Sequence, residues 1–222
     1  METIRLFTGL DLHKRSITAT TLDQAGNTVA HAKLPAHPTA LRLYFAECTR
    51  PGATHHATVE ATTGWYWVSD ILAATDITLH LAHAKGVKAI TGAKVKTDSA
   101  DARMLAQLLR TNLLPEAHMI DPDIRPLRDV LRTRLSLVER SSAAKNSIAR
   151  LLEKMNVRDI ADLPELMRTA ACYHLDQIEL LQQQVKQLEK SLHPHLVPDE
   201  IVQRLLRIPG IGKAGAFTIR RK

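Results

Sequence analysis

The chain has 222 residues, 45% hydrophobic and 24% charged, with 30 Lys and Arg against 23 Asp and Glu for a formal net charge of +7. This composition excludes a disordered, fibrous or polytopic membrane chain, and the positive surplus favours polyanionic partners. Cys48 and Cys172 stand apart, no apolar run reaches the ~18 residues of a membrane span, and Met1 to Leu10 has no leader pattern, so a cytoplasmic protein without a membrane partner is expected.

In chain order, Ile4 to Leu10 is a short apolar run, and Ser16 to Leu22 mixes small, β-branched and apolar residues. The turn signal Asp23-Gln24-Ala25-Gly26-Asn27 follows, and Val29 to Leu34 reads as the returning hairpin strand. Leu41, Phe45 and Cys48 recur at helical spacing. Beyond Pro51-Gly52, Thr54 to Val59 is again strand-like. Gly64 to Thr75 returns to helix with Trp65, Val68, Ile71 and Leu72 on one face, which predicts burial of Trp65. Ile77 to Leu81 is a fifth strand and Ala84 to Thr91 a short basic helix. Thr97 to Thr111 is a stronger helix, with Ala102, Leu105, Ala106 and Leu109 on one stripe. Residues 1–120 therefore read as an α/β layer fold with helices covering a mixed sheet.

After Pro115 no strand pattern appears. Pro122 and Pro126 mark a linker, and Leu127, Leu131, Leu135 and Val138 begin a long basic helix running to about Met155. A second helix starts near Asp162 and Pro164. Its Ile178, Leu181, Val185, Leu188 and Leu192 repeat at steps of three and four, which predicts a coiled-coil seam ending at Pro194, with Leu127 to Leu192 forming two antiparallel helices that pair with another copy. Residues 121–196 form this all-α segment. Residues 197–222 carry Ile201, Leu205 and Ile208, then Pro209-Gly210-Ile211-Gly212 and a basic end. The first 120 residues carry +2 and the remainder +5, so the second part holds most of the attraction for polyanions.

Four acids stand out by position: Asp11 and Glu60 at strand ends, and Asp98 with Asp101 at a helix start. If the first and fourth strands are neighbours, Asp11 and Glu60 lie side by side, and the i, i+3 spacing puts Asp98 and Asp101 on one helical face. Carboxylates gathered in this way repel unless a cation neutralises them. Hard oxygen donors select Mg²⁺ or Mn²⁺, and a pair of such ions supports phosphodiester cleavage. Taken singly, each acid also reads as a turn residue, a helix cap or a solvated side chain. Lys14, Lys85, Lys88, Lys94 and Lys96 surround these acids. Arg125, Arg128, Arg132, Arg134, Arg140, Lys145, Arg150 and Lys154 dominate the first long helix. The eleven histidines lack cysteine partners at zinc spacing and read as structural or surface residues.

Gly9-Leu10-Asp11-Leu12-His13-Lys14, Val59-Glu60-Ala61-Thr62-Thr63-Gly64 and Lys96-Thr97-Asp98-Ser99-Ala100-Asp101-Ala102 resemble the three signature blocks of the IS-one-ten family of bacterial insertion-sequence transposases. That family also includes site-specific DNA invertases. The resemblance implies a ribonuclease-H-like, RuvC-type domain over residues 1–120 whose Asp11, Glu60, Asp98 and Asp101 bind divalent metal and carry catalysis. It further implies DNA and a noncoding guide RNA as partners. Lys14, Lys96, Arg128 and Arg132 are the expected phosphate contacts. Leu206 to Ile219 resembles a helix-hairpin-helix element, in which Gly210, Gly212 and Lys213 would meet a phosphate backbone. The family's nucleophilic serine block does not occur before Lys222, so a chain truncated ahead of that block and lacking complete recombination is the expectation. Two other readings are a non-catalytic nucleic-acid binder that dimerises and an actin-like kinase. The kinase class needs glycines where this chain has Leu12-His13-Lys14-Arg15.

Overall fold

The computed structural model describes residues 4–91, 98–196, 200–212 and 215–216, with backbone alone at residues 91, 98, 99 and 196. The chain divides into two compact units, Met1–Pro122 and Asp123–Lys222.

The first unit is built on strands β1 (Arg5–Leu12), β2 (Ser16–Leu22), β3 (Thr28–Pro35), β4 (Thr54–Glu60) and β5 (Ile77–Ala82). They form one mixed sheet in the order β3-β2-β1-β4-β5. The β1-β2-β3 meander is antiparallel, whereas β4 joins β1 in parallel and β5 joins β4 in parallel. The turn from β2 to β3 closes as its residues dictate: Asp23 accepts from the Asn27 backbone N–H at 2.8 Å and from the Asn27 side chain at 3.1 Å.

Helices α1 (Pro38–Cys48) and α2 (Trp65–Leu72) cover one face of the sheet. Leu10, Ile17, Ala19, Val59 and Leu81 meet Leu41, Phe45, Trp65, Val68 and Leu72 there, so Trp65 is a core residue as its stripe predicts. Helices α3 (Ala84–Thr91) and α4 (Asp98–Arg110) belong to the other face, where Ala82, Val87, Leu105 and Leu108 form a second cluster. Strand alternation explains the split, because Leu10 and Val59 point to the first face while Gly9, Asp11, Thr58 and Glu60 point to the second. The expected α/β class and five strands are what the structure has.

The second unit is all-α. Helices α5 (Arg125–Met155) and α6 (Glu165–Leu196) run antiparallel, with Arg134 of α5 paired to Glu189 of α6 at 2.7 Å and Ile148 packed with Ile178. The seam expected to meet another copy is covered by α5 of the same chain, and Ile178, Leu181 and Leu192 are all buried. Pro194 does not end α6, which runs to Leu196 with the proline in its last turn. A proline there removes one intrahelical bond where several carbonyls already lack partners, so the helix tolerates it. The short α7 (Glu200–Leu205) seats Val202 and Leu205 against Leu127, Val130, Leu131 and Leu192 at the open end of the hairpin.

Candidate functional site

The site grows from the pairing of β1 with β4. Leu10 is partnered by Val59, so Asp11 and Glu60 come next on adjacent parallel strands and share the second face of the sheet. Both are partly buried, and Nε2 of His13 lies 3.0 Å from Asp11 Oδ2.

Gly9 aligns α4 with this end of the sheet. A Cβ at Gly9 would sit 2.0 Å from the Ala102 carbonyl oxygen and 2.5 Å from the Ala106 nitrogen, so only glycine lets the helix backbone lie this close to β1. The direction of α4 follows from its far end. Arg110 donates to the Gln24 carbonyl at 2.9 Å and Arg103 donates to Thr28, both beside the β2–β3 turn. That turn lies at the start of β1, because Leu22 pairs with Phe7. The first turn of α4 therefore points toward the strand end that carries Asp11. From Gly9 to Asp11 is roughly 7 Å along a strand, about four to five residues of helix, which brings the acidic start of α4 level with Asp11. The structure thus gathers Asp11, Glu60 and the first turn of α4 at one end of one face. Asp101 in that turn is partly buried, whereas the Asp98 side chain lies outside the described residues.

Among the described residues no three His, Cys, Asp or Glu side chains are close enough together to hold a metal ion. The donor chemistry available at this end, carboxylate oxygen from two strand ends and a helix start, nonetheless fits a hard divalent cation. Two buried hydroxyls flank the acids and find no hydrogen-bond partner among the described residues: Thr18, paired across from Asp11, and Thr58, two residues before Glu60. Sequence reasoning missed both, although threonine at alternate positions of a buried strand is the signal that would have found them. Exposed cations ring the same end, with Lys14 and Arg15 in the β1–β2 turn and Lys85 and Lys88 on α3, the helix that follows β5. Lys96 and Lys213 lie outside the described residues.

The basic helix is less uniform than its sequence implies. Arg125 is buried and Arg134 is held by Glu189, which takes both out of the phosphate track. Arg128, Arg132, Arg140, Arg150 and Lys154 remain within an arc of about 120° at 100° per residue, with Glu139 inside it and Glu153 at its edge, while Lys145 falls outside. Gly210 takes φ = 87° in the turn after α7, a left-handed conformation that favours glycine, and the Ala216 N–H bonds the Gly212 carbonyl at 2.9 Å as helix resumes. Among the described residues no helix is long and apolar enough to cross a membrane.

The mixed α/β sheet and the basic helical unit agree with a protein that acts on nucleic acid. The model of the DEDD transposases of the IS110 (IS-one-ten) type, described as "Transposase", matches residues 8–157, and the chain belongs to this family. Its role therefore lies in DNA transposition or recombination, and its partner is DNA. Membership removes the kinase alternative. No curated protein matches the chain.

Proposed function

We propose that residues 1–122 form a ribonuclease-H-like, RuvC-type domain for divalent-metal-dependent phosphodiester chemistry on DNA, with Asp11, Glu60, Asp98 and Asp101 as the carboxylate set. One observation supports this reading: Asp11 and Glu60 stand near the ends of neighbouring parallel strands, and α4, the helix that begins at Asp98, packs on β1 at Gly9. Mg²⁺ or Mn²⁺ bound there would polarise the scissile phosphate and stabilise the leaving oxygen. The protein's own part is to hold the acids at fixed separation on rigid elements. Lys14 and Lys96 attract the phosphate backbone, and His13, 3.0 Å from Asp11, would yield that carboxylate to a bound cation.

In the second unit, Arg128 and Arg132 lead the stripe that tracks a phosphate backbone of DNA or of the element's noncoding RNA. Gly210, Gly212 and Lys213 add a turn of helix-hairpin-helix type. Homo-oligomers form through α6, where Leu166, Tyr173 and Leu180 are exposed at steps of seven, the spacing of a coiled-coil stripe.

The test is Mn²⁺ titration of the full chain and of Asp11→Asn, Glu60→Gln, Asp98→Asn and Asp101→Asn. Each substitution should weaken binding by about tenfold or more, the cost of removing one charged oxygen donor. Affinity unchanged in all four variants would sink the assignment.

A further inference from the structure

Five threonines of the sheet are buried: Thr8, Thr18, Thr20, Thr21 and Thr58. Three of them are satisfied. Thr8 and Thr21 share a hydrogen bond at 2.7 Å and extend it to His55 and Tyr44, and Thr20 bonds His31 Nδ1 at 2.9 Å. The other two, Thr18 and Thr58, have hydroxyls with no partner among the described residues, and both adjoin the carboxylates. A buried hydroxyl without a partner is destabilising, and valine would fill either strand position without that cost. The contrast between satisfied and unsatisfied threonines therefore follows the site and not burial.

We propose that Thr18 and Thr58 are positioning residues of the metal site, a reading that rests on the carboxylate assignment above. Thr18 lies directly across from Asp11 in the antiparallel β1–β2 pair, where facing side chains are in reach of one another. Thr58 sits two residues before Glu60 on the same strand face, opposite Gly9, where the α4 backbone packs directly on the sheet. With a divalent cation held by the carboxylates, the Thr18 hydroxyl would be the donor available to Asp11 and the Thr58 hydroxyl the donor available to Glu60. Each threonine would hold one oxygen of its acid, limit how far the acid turns and lower the cost of ordering it as a ligand. Groups of this kind around metal ligands set both orientation and affinity.

The experiment uses the full chain, with Thr18→Val, Thr58→Val, the double variant, and Thr18→Ser and Thr58→Ser. Mn²⁺ affinity is measured by calorimetry, and thermal unfolding is followed without metal. The valine variants should bind Mn²⁺ about tenfold more weakly. Their metal-free unfolding temperature should rise by roughly 2–5 °C, because the unsatisfied hydroxyl is gone. The serine variants, which keep the hydroxyl, should bind like the original chain. Valine variants that bind Mn²⁺ normally overturn the proposal, as do serine variants that lose affinity together with stability, since those results describe packing alone. Asp11→Asn and Glu60→Gln separate the two levels. If they abolish binding while the valine variants keep it, the carboxylate site stands and the threonine role falls. If they leave binding unchanged, both fall.

Discussion

His55 shows how a single buried residue couples this fold to pH. Its Nε2 lies 2.7 Å from the Thr8 hydroxyl and its Nδ1 2.7 Å from that of Thr49, and the chain of hydroxyls continues through Thr21 to Tyr44. Burial, and secondarily the neighbouring His56, push the His55 pKa down to about 4. The unfolded chain binds a proton near pH 6.5 that the folded chain refuses until about pH 4, so stability is full above pH 6.5 and falls as pH drops through that window. The loss by pH 4 should be about 3 kcal/mol, from about 1.4 kcal/mol per pKa unit. Urea unfolding between pH 4 and 7 reads it, and His55→Gln should flatten that part of the curve. A slope of opposite sign would overturn the assignment. Burial likewise raises the Tyr44 hydroxyl and the Cys48 thiol, so this network stays neutral at physiological pH. At Gly9 the argument is steric. Gly9→Ala would push a methyl group into the α4 backbone and should destabilise the unit by about 3 kcal/mol or more, seen as a lowered unfolding temperature together with weakened Mn²⁺ binding.

At the scale of elements, what was legible in the sequence was what local chemistry decides. The five strands and the turn at Asp23 to Asn27 follow from alternation and turn residues, and α4 follows from its apolar stripe. What was not legible depends on long-range partners. A heptad seam on α6 specifies an apolar stripe but not which helix covers it, and α5 of the same chain does so. Thr18 and Thr58 look like ordinary strand threonines until the satisfied ones are known. The seam also sets a prediction. Leu181→Asp places a charge in the α5–α6 interface and should cost several kcal/mol of stability in the second unit, whereas Tyr173→Asp, on a residue 71% exposed, should leave folding intact. If α6 mediates self-association, Tyr173→Asp weakens it in sedimentation. Equal unfolding by both variants would contradict the packing described for α6.

At the scale of the molecule, the chain separates the proposed carboxylate site from most of its charge. The carboxylates and their threonines belong to the first compact unit, and the basic stripe of α5 to the second. Each unit has its own apolar clusters, built from its own residues. Recognition of a polyanion by the second unit should then be mainly electrostatic, since its exposed cations lie along a helix surface. Residues 1–122 and 123–222 prepared separately should each fold, as thermal unfolding would record. The first should keep Mn²⁺ binding and have weak affinity for DNA. The second should bind DNA or RNA without metal, with log affinity falling linearly against log salt, because each neutralised phosphate releases condensed counterions. Replacing Arg128 and Arg132 together by Ala should reduce the magnitude of that slope by up to about 2, roughly one unit for each phosphate that is no longer neutralised. Salt-independent binding by the second unit, or a slope unchanged in the double variant, would remove α5 as the phosphate track and shift the search to the cations around the carboxylate end of the sheet.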